Sequence, residues 1–328
     1  MKAVTIKTAV KSWPVEGAFT ISRGSRTEAV VVEVHVCGGG ITGKGECVPY
    51  PRYGESVEGV CLQIAQAAME LNGMPDRSLL QKLVPAGAAR NGLDCALWDY
   101  EAKSCGRRVW DVAGLPVPEP VYTAYTLSLD SAEAMGNKAR ANAHRPVLKV
   151  KLGGEGDMER IRAVHANAPS ARLIIDANEA WTVEQYIRLA PQLAEQGVAL
   201  VEQPLPASDD AGLGSIERPV PVCADESCHD RATLAELAGR YDAINIKLDK
   251  TGGVTEALAL CAEAKERGFI IMVGCMLGSS LSMAAAHLVA QQASFIDIDG
   301  PLLLAADQDC PLQYEGSLVH PPRPELWG

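Results

Sequence analysis

The sequence predicts an α/β protein, a (β/α) barrel preceded by a smaller α+β unit. From about residue 121 onward, eight short apolar runs alternate with helical patterns. Polar residues close successive runs at intervals of 22 to 28 residues, the length of one βα unit. The N-terminal part has a different texture, with strands followed by helices. A chain of 328 residues suits two domains, and its 47% hydrophobic content can fill a sizeable core. A doubly wound open sheet is the alternative that the alternation leaves open.

Residues 21–36 are rich in β-branched side chains and lead into Cys37-Gly-Gly-Gly-Ile-Thr-Gly-Lys-Gly-Glu46. This reads as two strands joined by a glycine-rich turn. The stretch also matches G-x-G-x-x-G at 38–43 and nearly matches a phosphate-binding loop at 38–44. Gly45 stands where that loop needs Ser or Thr, and Pro49 and Pro51 follow where a helix should begin. The hairpin turn is the better reading. Ser56 is a helix N-cap, with Val57, Val60, Cys61, Ile64, Ala68 and Leu71 recurring at helical spacing. A second helix covers about 88–104, with Leu93, Ala96, Leu97 and Tyr100 on one face and Gly106 as its stop.

The proline-rich stretch 116–120 separates this unit, residues 1–118, from the barrel, 119–304. The strand candidates are 121–126, 147–152, 173–176, 199–202, 220–225, 243–248, 269–274 and 295–298. Helix signals lie between them, such as the capping box of Thr182 and Gln185. The tail, 305–328, carries several prolines and is expected to pack back on the first domain.

A net charge of −11 and the lack of any Lys/Arg run argue against nucleic acid or an anionic membrane as partner. No stretch is apolar for the length of a membrane span, and the N-terminus has no apolar signal core. Ten scattered cysteines, none in C-x-x-C, read as reduced thiols of a cytoplasmic protein.

In a (β/α) barrel, the chemistry sits where the strands end. Here those ends carry Lys149 and Lys151, Asp176, Glu202, Asp225, Lys247, Cys275, and Asp297 with Asp299. Asp176, Glu202 and Asp225 fall on three successive strands. Three carboxylates at one mouth repel unless a cation lies between them, and hard oxygen ligands suit Mg2+. Lys151 precedes this triad and Lys247 follows it, so the two flank the metal from opposite sides. Lys149 lies two residues from Lys151 and points the same way. Two ammonium groups so close should depress each other's pKa, preparing a base. A carboxylate substrate on the metal has an acidified α-proton, and bases on both faces favour racemisation or epimerisation.

These residues resemble the muconate-lactonising branch of the enolase superfamily over essentially the whole chain. Ile21-Ser-Arg-Gly-Ser-Arg26, Glu202-Gln-Pro-Leu-Pro206, Ala224-Asp-Glu-Ser-Cys-His229 and Asp297-Ile-Asp-Gly-Pro-Leu302 are similar to the dipeptide epimerases of that branch. The resemblance implies a (β/α)7β modified TIM barrel under an N-terminal α+β capping domain. It implies one Mg2+ held by Asp176, Glu202 and Asp225, and proton exchange by Lys151 and Lys247 at the C-terminal residue of L-Ala-D/L-Glu. Lys149 would assist, Asp297 and Asp299 would pair with the dipeptide ammonium, and Thr126 and Cys275 would contact the substrate backbone. Arg23 or Arg26 is the candidate partner of the substrate γ-carboxylate, with Arg52 a third. A different side-chain preference is the near alternative. β-Elimination of the o-succinylbenzoate synthase kind is further off, because its substrate has no ammonium for the Asp pair.

Overall fold

The computed structural model describes residues 3–328. The chain opens with an antiparallel sheet of β1 (Thr5–Ile21), β2 (Gly24–Gly38) and β3 (Ile41–Cys47). The β2–β3 pair is the hairpin expected from the glycine-rich stretch, with Gly39 and Gly40 at φ 61° and 81° in its turn. β1 is an additional long strand that the sequence reading did not identify. Gly43 and Gly45 serve packing and not phosphate. A Cβ on Gly43 would lie 2.3 Å from the Ala96 carbonyl oxygen, and one on Gly45 would lie 2.3 Å from that of Gly92. A helix therefore rests directly on the β3 backbone.

That helix is α3 (Ala88–Cys105), which follows α1 (Val57–Leu71) and α2 (Arg77–Leu83). The Ser56 hydroxyl caps α1 by accepting from Gly59 N, and Gly106 ends α3 in the left-handed region, as the sequence suggests. Val32, Val34, Ile64, Leu93 and Leu97 form the core of this capping domain. A short α4 (Val109–Ala113) completes it.

The expected strand at 121–126 is divided. β4 (Val121–Tyr122) pairs away from the barrel, while β5 (Tyr125–Leu127) is the first barrel strand. Then come α5 (Ala132–Ala141), β6 (Val147–Lys151), α6 (Asp157–Asn167), β7 (Arg172–Asp176), α7 (Val183–Glu195) and β8 (Val198–Glu202). The Thr182–Gln185 capping box is present at α7. Between β8 and β9 (Val222–Ala224) there are only 3-10 turns. Pro204, Pro206, Pro219 and Pro221 in this stretch deny a helix its backbone donors, and Pro221 delays the start of β9.

The barrel continues with α8 (Leu234–Leu237), β10 (Ala243–Ile246), α9 (Leu248–Thr251), α10 (Val254–Glu266), β11 (Ile270–Gly274), α11 (Ser280–Ala290) and β12 (Phe295–Asp297). Strands β5 to β12 form one parallel sheet in chain order, and Ala124 N donates to Ile296 O at 2.8 Å across its two ends. An apolar layer, including Ile174, Leu200, Cys223, Ala243, Met272 and Phe295, fills the interior. The doubly wound alternative is thereby excluded.

In the tail, β13 (Tyr314–Glu315) pairs with β14 (Leu318–Val319), which pairs with β4. The tail also meets the capping domain. Gln308 Nε2 donates to Glu33 (2.7 Å), Lys44 Nζ to Glu325 O (3.3 Å) and Trp327 Nε1 to Cys95 O (3.0 Å).

Candidate active site

The strand register sets the site. Lys151 pairs with Asp176 across β6 and β7, and Asp176 pairs with Glu202 across β7 and β8. Asp225 follows β9 directly. Each apolar run ends at the same mouth, so the three carboxylates line one end of the barrel although they are far apart in sequence. All three are buried.

Buried carboxylates need compensating charge. Lys149 Nζ stands 2.7 Å from both Glu202 and Asp297, and 3.3 Å from Asp176. Lys151 meets Asp176 at 2.6 Å, while Lys247 and Lys250 meet Asp225 at 2.6 and 2.7 Å. Four acids thus face four lysines. Burial raises the Asp176 carboxyl, but Lys151 and Lys149 outweigh it and hold it down at about 2. Burial, followed by the neighbouring Asp176, pushes Glu202 up to about 7.

The lysines differ from expectation. Repulsion between Lys149 and Lys151 is expected to depress the pair, yet Lys149 is held well above the usual lysine range, as is Lys247 across the mouth. Burial acts to lower them, and the acids overcome it: chiefly Asp297 and Glu202 for Lys149, and Asp225 for Lys247. The physical reason is that each lysine's near neighbours are carboxylates, and these outweigh the other ammonium groups.

The donor set fits a hard divalent cation. It is all oxygen, it is buried, and Glu202 Oε2 receives no hydrogen bond of proper geometry despite its nearness to Lys149. With the lysines turned onto the acids, no three His, Cys, Asp or Glu side chains are already gathered around one point among the described residues.

The loops behind these strand ends hold non-glycine residues at positive φ. Asn178 and Glu179 (45° and 66°) follow β7, and Gln203 (32°) follows β8. The fully buried Gln203 accepts from Asp225 N (2.9 Å) and Ser227 N (3.1 Å), and its amide donates to Tyr241 Oη (2.8 Å). It thereby fixes the backbone that carries Asp225.

A cavity of about 460 Å3 opens over the mouth, lined by Lys151, Asp225, Lys247 and Cys275 from the barrel and by Arg23, Arg26, Tyr50 and Arg52 from the cap. Lys149, Thr126, Asp297 and Asp299 are buried outside its wall. Thr126 N donates to Asp299 (2.7 Å), so Thr126 holds that acid. Burial, then Asp297, raises Asp299 to about 7. The Cys275 thiol is pushed well up by burial and the same two acids, the opposite of an activated nucleophile.

The candidate arginines separate. Arg23 is already engaged, 2.7 Å from Glu226 and 3.2 Å from Glu179. Arg52 is engaged with Glu179 at 2.8 Å. Arg26 lies over the Tyr50 ring, 5.2 Å from its centre, on the cavity wall. The sequence reading missed Glu179, Glu226, Lys250 and Asn245, whose amide donates to Glu202 at 2.8 Å. The signal was present: Glu226 directly follows Asp225, and Glu179 lies three places after Asp176. His229 packs edge-on to Tyr53 and contacts the Glu226 carbonyl, which is a structural setting.

Fold and site together define a barrel enzyme of the enolase kind. Residues 3–114 match the mandelate racemase / muconate lactonizing enzyme N-terminal domain, and residues 132–323 match the enolase C-terminal domain-like family. The chain belongs to this family. Within it, the chain is 48% identical to the L-Ala-D/L-Glu epimerase of Escherichia coli K12, over 96% of this chain and 99% of that protein. It is similar to an enolase family member from Agrobacterium tumefaciens with homology to dipeptide epimerases, solved with sodium and L-Ala-L-Glu. That match has a TM-score of 0.97 and 55% identity, covering 99% and 100% of the two chains. The Enterococcus faecalis dipeptide epimerase, solved with Mg and L-Leu-L-Tyr, superposes with a TM-score of 0.91 at 27% identity, over 98% of each chain. Among the described residues, no helix is long and apolar enough to cross a membrane.

Proposed function

We propose that the protein is an Mg2+-dependent dipeptide epimerase that inverts the α-carbon of the C-terminal residue of L-Ala-D/L-Glu. The observation that carries this reading is the row Asp176, Glu202 and Asp225, flanked by Lys151 on β6 and by Lys247 just after β10. These lysines lie four strands apart in an eight-stranded sheet. Asp176, Glu202 and Asp225 would hold the metal, which supplies electrostatic stabilisation of the charge left when the α-proton departs.

With Asp176 and Asp225 turned to the cation, Lys151 and Lys247 would lose the acids that now balance their charge. The neutral one would then remove the α-proton on its face, and the protonated one would return a solvent-derived proton on the other. Lys149 stays charged among its acids and orients the substrate carboxylate. Asp297, whose Oδ1 has no partner, and Asp299 receive the dipeptide ammonium. Thr126 positions Asp299, and Cys275 packs against the substrate backbone. Arg26, whose guanidinium stacks on Tyr50, takes the γ-carboxylate, while Arg23 latches the cap to Glu226 and Glu179. The same reading assigns the protein to the cytoplasm and to the breakdown of murein peptides, with a small-molecule substrate and neither nucleic acid nor membrane as partner.

The test is proton NMR of L-Ala-D-Glu in D2O with protein and Mg2+, beside L-Ala-L-Phe and N-succinylated glutamate. Loss of the Glu α-proton signal with growth of the L,L isomer is expected. Exchange of the N-succinyl compound but of no dipeptide would overturn the substrate assignment.

A further inference from the structure

We propose that Asp249 is the positioning residue for Lys247, pinning the turn that carries this lysine to the capping domain. The inference rests on the two-lysine reading above and adds a residue with no place in it.

Lys247 is the N-cap of α9, and its carbonyl accepts from Lys250 N and Thr251 N at 3.0 Å. A four-residue helix has little stability of its own and depends on what it packs against. Asp249 lies inside this turn, and its Oδ1 accepts from Val48 N at 2.9 Å and from Asn91 Nδ2 at 2.8 Å. Val48 follows β3 and lines the same cavity as Lys247, while Asn91 is a fully buried residue of α3. One carboxylate oxygen therefore ties the cavity's cap wall to the turn that presents the lysine. Downstream, Arg90 Nη2 donates to Thr251 O at 2.7 Å, and glycines at 252 and 253 let α3 close on this backbone.

Lys151 is held differently. It ends β6, which is paired with β5 on one side and β7 on the other. Its backbone is fixed by the barrel sheet. Among the described residues, its ammonium meets the cap only at the Phe19 ring, 5.9 Å from the ring centre, with no hydrogen bond to it. Loosening the cap contact should therefore affect one face of the reaction and spare the other. Both bonds end on Oδ1, so a neutral amide at this position keeps them.

The experiment measures α-proton exchange into D2O separately for L-Ala-L-Glu and L-Ala-D-Glu. It uses the wild type, Lys247→Ala, Asp249→Ala, Asp249→Asn and Asn91→Ala, with Mg2+ present. Asp249→Ala is expected to slow exchange about 10- to 100-fold for the isomer whose exchange Lys247→Ala abolishes. The other isomer should stay within about threefold of wild type, and Asp249→Asn should restore both. Asn91→Ala should show the same one-sided loss in smaller degree. Equal loss from both isomers in Asp249→Ala and Asn91→Ala, with Lys247→Ala still one-sided, would overturn this proposal alone. Failure of Asp249→Asn to restore exchange would also overturn it. If Lys247→Ala itself were symmetric, the two-lysine reading would fall first and Asp249 with it.

Discussion

Replacing Glu46 by Gln should remove an alkaline weakness from the protein. Glu46 ends its side chain at the seam between β3 and the start of α11. Its Oε1 accepts from Ser279 N at 2.8 Å, and its Oε2 is bonded to the Ser279 hydroxyl. Burial pushes its carboxyl up to about 8, with Glu33 and Asp249 adding to the rise against the Ser279 hydrogen bonds. In the unfolded chain the group titrates at its ordinary 4.5. A folded-state pKa above the unfolded one gives stability that is fully present below the unfolded value and lost as pH rises through the folded one. Between pH 7 and 9 the unfolded chain stays ionised at this site. The folded protein goes from about one-tenth to about nine-tenths ionised, which costs about 1.4 kcal/mol. Urea unfolding at both pH values, for wild type and Glu46→Gln, measures this. The wild type should lose about 1.4 kcal/mol more than the variant over the interval. The buried thiols of Cys47 and Cys95 weaken both proteins alike at alkaline pH and cancel in the comparison. An identical loss in the two proteins would refute the assignment of a neutral acid to this seam.

Arg26→Ala should lower kcat/KM for L-Ala-L-Glu by about 10- to 100-fold while leaving L-Ala-L-Ala nearly unchanged, as steady-state kinetics on the two substrates would show. Arg23→Ala strands the buried Glu226 carboxylate, so urea unfolding should show a loss of about 1–3 kcal/mol, with acidic and neutral dipeptides affected alike. Mg2+ at about 100 times its Kd should stabilise the chelator-treated protein by about 2.7 kcal/mol in the same assay, and Asp176→Asn should lose this gain. Gly45→Ala drives a methyl into the Gly92 carbonyl, and a cost of about 3 kcal/mol should appear as a lower thermal midpoint.

The barrel was legible because its period is. An apolar strand and its helix repeat at a nearly constant spacing, and the residue closing each strand faces the mouth. That reasoning reaches Lys151, Asp176, Glu202, Asp225 and Lys247 without knowledge of any contact. β1 escaped because most of its residues are exposed, so no buried face marks its alternation. The helix missing between β8 and β9 was signalled by four prolines, yet the repeat suggested another βα unit. The acid–lysine pairing, the Arg23 latch and the Asp249 anchor were beyond reach for a different reason. Asp249 meets Val48 across 201 positions and Asn91 across 158, and no local pattern announces such a partner.

The capping domain is finished by residues synthesised after the barrel. Gln308 reaches Glu33 across 275 positions, Lys44 reaches Glu325 across 281, and Trp327 reaches Cys95 across 232. Each segment closed by these bonds contains the whole barrel. Ordering so long a loop before the barrel has compacted is entropically costly, so these contacts form late. The hairpin and α3 therefore form a lid whose last hydrogen bonds are supplied by the opposite end of the chain. Loosening the tail should loosen the wall over the barrel mouth, which hydrogen exchange at β3 and α3 in a Trp327→Ala variant would read.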